Sequence, residues 1–113
     1  MTAQALAEID RIVEGGGDAD DVLRRVVEVL GRLYGYVAIE FVEGDRTQLG
    51  PEVGTAQPSP SRIPVVYEGN RVGVLLVAAP DEDDQPFLEQ VATLIPAHVL
   101  VGWDTGGVPW AEA

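Results

Sequence analysis

RIPVVYEGNRVGVLLVAAPDEDDQPFLEQVATLIPAHV, residues 62–99, decides the fold of this chain. Two apolar runs, 62–68 and 71–79, flank Gly69-Asn70. A two-residue Gly-X turn of type I′ or II′ matches the twist of paired strands, so the stretch reads as an antiparallel hairpin. Pro64 has no N–H to give a ladder, which confines the first strand to an edge or to pairing on one side there. The second run, VGVLLVAA, is apolar on both faces. A strand of that kind lies inside a sheet and is covered on both sides. Gly73, with no side chain, marks a close approach or a bulge. The acidic run Asp81-Glu82-Asp83-Asp84 lacks the glycine and closing glutamate of an EF-hand, so it reads as solvated charge that caps the next helix. Pro86 fits a first turn, where its missing N–H costs nothing. Phe87, Leu88, Val91, Leu94 and Ile95 make a broad apolar stripe at helical spacing. Pro96 interrupts it, and a kink is expected there, with helix resuming through Val99 to about Trp103.

Upstream, Tyr36–Val42 alternates as a strand. Val37, Ile39 and Phe41 point one way, and this apolar set packs on helices. Tyr36, Ala38, Glu40 and Val42 point the other way, with a charge in mid-strand, so that face is wet or lines a cavity. Arg46–Leu49 is a weak return strand after Glu43-Gly44-Asp45. Residues 50–61, GPEVGTAQPSPS, hold three prolines and two glycines without periodicity and read as a loop. Before the first strand, Asp18 is a good N-cap, Asp20 and Asp21 complement the helix dipole, and Val22, Val26, Val29, Leu30 and Leu33 form a stripe that Gly35 ends. Arg24, Glu28 and Arg32 repeat at i+4 on another face, a pattern of surface pairing. Residues 3–14 form a further helix, with Thr2 as candidate N-cap and Gly15-Gly16-Gly17 as its stop.

A chain of 113 residues has room for one domain. At 46% hydrophobic and 23% charged it folds around its own core. Its seven basic residues, all arginine, face nineteen acidic ones, a formal charge of -12. That charge repels nucleic acid and anionic membrane. The absence of lysine fits a GC-rich genome most simply, and a halophile more sharply. Like charge crowded on so small a body opposes folding at low salt. The melting temperature is therefore expected to rise as sodium chloride goes from about 0.01 M to about 1 M, where the Debye length falls from about 30 Å to about 3 Å. A flat or falling curve would mean that the carboxylates are dispersed or paired with arginines.

There is no cysteine, which removes disulfides, thiol catalysis and thiolate metal sites. His98 is the only histidine and sits beside apolar neighbours as a structural residue. The serines, at 59 and 61, lie outside any nucleophile elbow. No catalytic constellation, metal site or cofactor is expected. No run approaches the length of a membrane span and no secretion signal precedes the first helix, so the expected location is the cytoplasm.

The order helix, helix, strand, weak strand, loop, hairpin, helix resembles a GAF domain, the small-molecule sensing relative of PAS domains. The resemblance is carried by residues 62–99: a proline-containing strand, a short turn, a G-V-L-containing strand, an acidic gap and a closing helix. Residues 18–45 fit the same plan. It implies an α+β fold, a central antiparallel sheet with the N-terminal helices and the C-terminal helix packed on one face, over residues 1–104, with 105–113 as a tail. It also implies a ligand pocket on the other face, under the connection after the second strand. That connection is short here. The cyclic-nucleotide signature of some relatives needs a lysine, and chromophore-bearing and methionine-sulfoxide-reducing relatives use cysteines. This chain has neither residue.

The resulting expectation is a stand-alone, non-catalytic sensory or regulatory module that binds a small ligand or a signalling protein. Its ligand-binding residues would be Tyr36, Ala38, Glu40 and Val42, with Arg62 as charge partner of Glu40 at the loop exit. The alternative is a homodimeric scaffold, roadblock- or profilin-like, with a vestigial pocket. A homodimer through the first helix, the last helix or both is expected in either case, because the last helix carries more apolar surface than one sheet face needs. Trp103 and Trp110 lie near its end, and tryptophan is enriched at interfaces.

Overall fold

The computed structural model describes residues 2–56 and 58–100. Two helices, α1 (Thr2–Gly15) and α2 (Ala19–Gly31), precede four strands, β1 (Tyr36–Glu43), β2 (Arg46–Gly54), β3 (Ser61–Tyr67) and β4 (Asn70–Val77). A 3-10 turn, Glu82–Asp84, leads into α3 (Gln85–Leu94). The strands form one antiparallel sheet in the order β2-β1-β4-β3. The doubly apolar β4 is therefore interior, as its composition requires, and Pro64 lies on the edge strand β3.

Alternation along β1 divides the molecule. Val37, Ile39 and Phe41 join Leu75 and Val77 of β4, Ile63 and Val65 of β3 and the apolar faces of α1, α2 and α3 in one core. Tyr36, Ala38, Val74, Leu76 and Ala78 form a second, smaller cluster on the opposite face, with Val42 packed against it. The helices thus cover one face of the sheet. Arg32, at the C-cap of α2, reaches Glu8 on α1 at 3.2 Å. This exposed pair contributes no more than about 1 kcal/mol, so the apolar core holds the helices together.

Several local expectations are corrected. Thr2 lies within α1. Asp18 occupies the N-cap of α2 without a side-chain cap bond; its carbonyl accepts from the Val22 N–H at 2.9 Å. Arg24 pairs with Asp20 and Arg25 with Asp21. An acid four residues before a base is the favourable order along a helix, so Arg24 reaches backward and not toward Glu28. α2 ends at Gly31, four residues before Gly35. Val53 of β2 packs so close to Gly31 that a Cβ there would meet its Cγ1 at 2.6 Å.

The largest correction is β2. Residues 50–54, expected as loop, continue the strand and pair with β1 from Gly54 opposite Tyr36 to Glu52 opposite Ala38. Between Ala38 and Glu40 the register skips, so Gly50 and Pro51 oppose Ile39 in a bulge. An edge strand tolerates both the bulge and a proline without an N–H. Residues 55–60 alone connect β2 to β3.

The hairpin turn is also one residue earlier than expected. Tyr67 pairs with Asn70, so the turn residues are Glu68 and Gly69, with φ of 50° and 84°. Two positive φ values define a type I′ turn, which suits asparagine or glycine better than glutamate at its first position. Glu68→Asn is expected to stabilise the domain by about 0.5–1 kcal/mol, read as a higher urea midpoint. An unchanged or lower midpoint would show that Glu68 has a compensating role.

Gly73 records a close approach. A Cβ there would meet Val99 Cγ1 at 2.7 Å and the Glu40 carbonyl oxygen at 2.8 Å. Val99 belongs to residues 96–100, where helical backbone resumes after a break at Ile95. The interruption is a full break because Pro96 begins the new turn, a position that needs no N–H. Trp103, Trp110 and the proposed tail lie outside the described residues.

Candidate functional site

The sheet face away from the helices gathers four polar side chains over an apolar floor. β1 places Tyr36, Ala38 and Glu40 on that face by simple alternation. β4 adds Val74 and Leu76, and Ala78 follows. Ala38 pairs with Leu76 on one side and with Glu52 of β2 on the other, and Leu76 pairs onward with Arg62 of β3. One row thus runs Glu52, Ala38, Leu76, Arg62 across the whole sheet. Glu40 lies two residues along β1 and opposes Val74.

Two polar contacts tie these side chains together. The Arg62 guanidinium donates to Glu40 Oε1 at 2.8 Å, the partnership expected from the sequence. Glu40 is 20% exposed and Arg62 56%, so water screens the pair and its net stabilisation is small. The Tyr36 hydroxyl donates to Glu52 Oε2 at 2.8 Å. Burial, then this hydrogen bond and the nearby Glu52 and Glu40 carboxylates, push the Tyr36 phenol up to about 12. Tyr36 is 5% exposed.

That shift sets a pH window. A phenol raised from 10.0 to about 12 on folding favours the native state fully below pH 10 and loses that contribution as pH rises toward 12. The contribution is on the order of 1–3 kcal/mol. The urea midpoint of the wild-type chain is expected to fall over this window, and Tyr36→Phe to fall less steeply. Equal slopes in the two proteins would remove Tyr36 as the cause. Tyr34 adds to the same alkaline loss, because burial and its bond to Asp84 Oδ2 at 2.8 Å also raise its phenol. Asp84 sits at the N-cap of α3, but its carboxylate is engaged by Tyr34 and makes no cap bond.

Of the residues proposed from sequence, Tyr36, Ala38, Glu40 and Arg62 share the face away from the helices, where Tyr36 and Ala38 are buried and Glu40 and Arg62 reach solvent. Val42 packs against the same cluster from its far end and also lines a cavity of about 620 Å³ with Glu43, Gly44, Asn70, Arg71, Val72 and Leu100. A second cavity, about 400 Å³, lies between α1 and α3, and a third, about 390 Å³, between β3 and α3. Tyr36, Ala38, Glu40 and Arg62 line none of these three. The loop of residues 50–61 expected beside Glu40 is corrected in part: residues 50–54 are edge strand. Glu52 was missed because it fell in that supposed loop. Val74, Leu76 and Ala78 were legible from alternation along β4. Among the described residues, no three histidine, cysteine, aspartate or glutamate side chains converge on a metal-sized site. No described helix is long and apolar enough to cross a membrane.

Solved structures share this fold of an antiparallel sheet with helices packed against it. The chain superimposes on free methionine-R-sulfoxide reductase from Neisseria meningitidis in complex with its substrate, with a TM-score of 0.74 at 18% identity, covering 92% of this chain and 91% of that one. It matches the GAF domain of Acinetobacter phosphoenolpyruvate-protein phosphotransferase with a TM-score of 0.71 at 13% identity, over 88% and 93% of the two chains. The A. aeolicus nlh2 GAF domain in an inactive state gives 0.72 at 14% identity, over 88% and 96%. No protein-family model and no curated protein matches the sequence. At these identities the likeness establishes the fold: this chain has a GAF-like fold.

Proposed function

We propose that this chain is a sensory or regulatory module that binds a small polar ligand at the Glu40–Arg62 side of its sheet, on the face away from the helices, and performs no chemistry on it. The observation that carries the reading is the cluster of Tyr36, Glu40, Glu52 and Arg62 above Ala38, Val74 and Leu76, on the face the helices leave uncovered. Specific ligand sites commonly combine an apolar floor with a few placed polar groups. Fold alone does not decide between sensor and enzyme, since one structural neighbour is a reductase. The residues favour the sensor. Sulfoxide reduction by thiols needs cysteine, and this chain has none. The polar cluster also offers no nucleophile beside a general base.

A thermal-shift screen against a metabolite library tests the reading, because a binder at a hundred times its dissociation constant adds about 2.7 kcal/mol. Glu40→Gln is expected to weaken the hit while leaving the fold intact. Unchanged binding would remove Glu40 from the site.

A second reading has its own observation. The cavity between α1 and α3 is lined by Ala3, Leu6, Ala7 and Leu94 beside Asp10, Gln90 and Thr93. An apolar groove between two surface helices suits the face-to-face dimer of a scaffold. Light scattering at high micromolar concentration tests it: a particle of 12.1 kDa counts against the dimer, and a doubled mass lost in Leu6→Glu supports it.

A further inference from the structure

We infer that this chain binds a small monocarboxylate with an apolar body in a gap between the ends of β1 and β4, at a site separate from Glu40 and Arg62. The gap follows from the register. β4 pairs with β1 only as far as Gly73 opposite Phe41. Past that point β1 continues along β2, with Val42 opposite Thr47 and Glu43 opposite Arg46. β4 continues along β3, with Arg71 opposite Val66 and Asn70 opposite Tyr67. Val65 pairs with Gly73 and Val66 with Arg71, so Val72 has no opposite number on β3 and is the extra residue of a bulge. A bulge bends its strand, raises the local twist and re-aims side chains. The β1–β2 and β3–β4 hairpins therefore part beside Val72, and the cavity of about 620 Å³ is lined by the ends of both. Its volume suits a small organic molecule.

The lining sets the chemistry of the occupant. Val42, Val72 and Leu100 supply apolar walls, and Leu100 is 37% exposed, so part of that wall faces water. Arg71 supplies a positive charge at the same cavity. Arg24, Arg25, Arg32 and Arg62 each pair with a carboxylate. Arg71 makes no ion pair among the described residues, although Glu43 lines the cavity with it. A guanidinium without a protein partner keeps all its donors for a ligand, and a carboxylate matches its planar geometry with two parallel bonds. Charge-assisted bonds of this kind are the strong ones. A neutral molecule would leave Arg71 unpaired, and an amine would meet it as a like charge. Glu43 sets the upper limit. A second negative charge on the ligand would meet that carboxylate and the -12 of the whole chain, which disfavours dicarboxylates and phosphates.

The test titrates hexanoate, butyrate, hexanamide and hexanedioate into the intact, isotope-labelled chain and follows the backbone amide signals by NMR. Hexanoate is expected to bind and to shift the signals of Val42, Glu43, Arg71 and Val72. Hexanamide, which lacks the charge, is expected to bind at least about tenfold more weakly. Butyrate, shorter by two methylenes, should lose up to about tenfold. Hexanedioate is expected to bind more weakly than hexanoate, and Glu43→Gln to recover most of that loss. Arg71→Gln is expected to bring hexanoate down to the level of hexanamide and leave hexanamide unaffected. Arg24→Gln, on the surface of α2, should leave all four unchanged. No binding of hexanoate, equal binding of hexanoate and hexanamide, full hexanoate affinity in Arg71→Gln, or loss of it in Arg24→Gln overturns the inference. Shifts confined to Tyr36, Ala38 and Glu40 would also overturn it, and would put the acid at the proposed sensing site instead.

Discussion

Gly54→Ala is expected to leave the domain unfolded, or destabilised by roughly 3 kcal/mol or more, as the sum of two separate costs. Gly54 has φ of 91°, a region that L side chains rarely adopt. It also ends β2 opposite Tyr36, where an added Cβ would overlap the Gly35 carbonyl oxygen. That oxygen accepts the Thr55 N–H at 3.3 Å, so it is held by the strand it would have to leave. Relief requires either Gly35 or the end of β2 to move, and both flank Tyr36 of the candidate site. Gly44→Ala separates the two costs. Gly44 has φ of 63°, but nothing lies within 4 Å of an added Cβ. It should lose only the conformational cost, about 1–2 kcal/mol. Urea denaturation of the two variants checks the difference. Equal losses would show that the contact with Gly35 relaxes freely.

Phe41→Ala is the second large effect, an expected loss of about 3–5 kcal/mol. Phe41 is 1% exposed and points from β1 into the helix-side core. Its ring lies against Gly50, where a Cβ would meet Cε2 at 2.6 Å. The phenyl ring thus fills the space that the bulge at Gly50 and Pro51 opens between β1 and β2. Its removal leaves a cavity that a paired sheet cannot collapse, because ladder hydrogen bonds hold both strands in register. Phe41→Leu retains much of the volume and should cost less than half as much. The measurement is the urea midpoint at unchanged slope, since a changed slope would report altered compactness. A loss below about 1 kcal/mol for Phe41→Ala would mean that the bulge rearranges to fill the gap.

Much of the candidate site was legible because strand side chains alternate whatever the partner strand is. Tyr36, Ala38 and Glu40 were placed on one face and Val37, Ile39 and Phe41 on the other from β1 alone. Two-sided apolarity placed β4 inside the sheet. Arg62 was matched to Glu40 because it opens the hairpin just after the connecting loop and its guanidinium can reach across a neighbouring strand.

Tertiary structure decided what local chemistry argued against. Gly50, Pro51 and Gly54 are breakers in isolation, yet pairing with β1 holds residues 50–54 as an edge strand, where neither a missing N–H nor a bulge interrupts a second ladder. Glu52 came to face Tyr36 only through that pairing, so no pattern in the sequence pointed to it. The same sheet register moved the hairpin turn to Glu68-Gly69, a position glutamate does not favour. Val53, packed against Gly31, lies where α2 ends, four residues before Gly35. Sequence by itself determined which way each side chain points along an element and which elements are buried on both sides, because those follow from backbone geometry and solvent exclusion. Contacts between residues far apart in the chain determined where the elements stop and which polar groups meet, because their energy exists only once the sheet has formed.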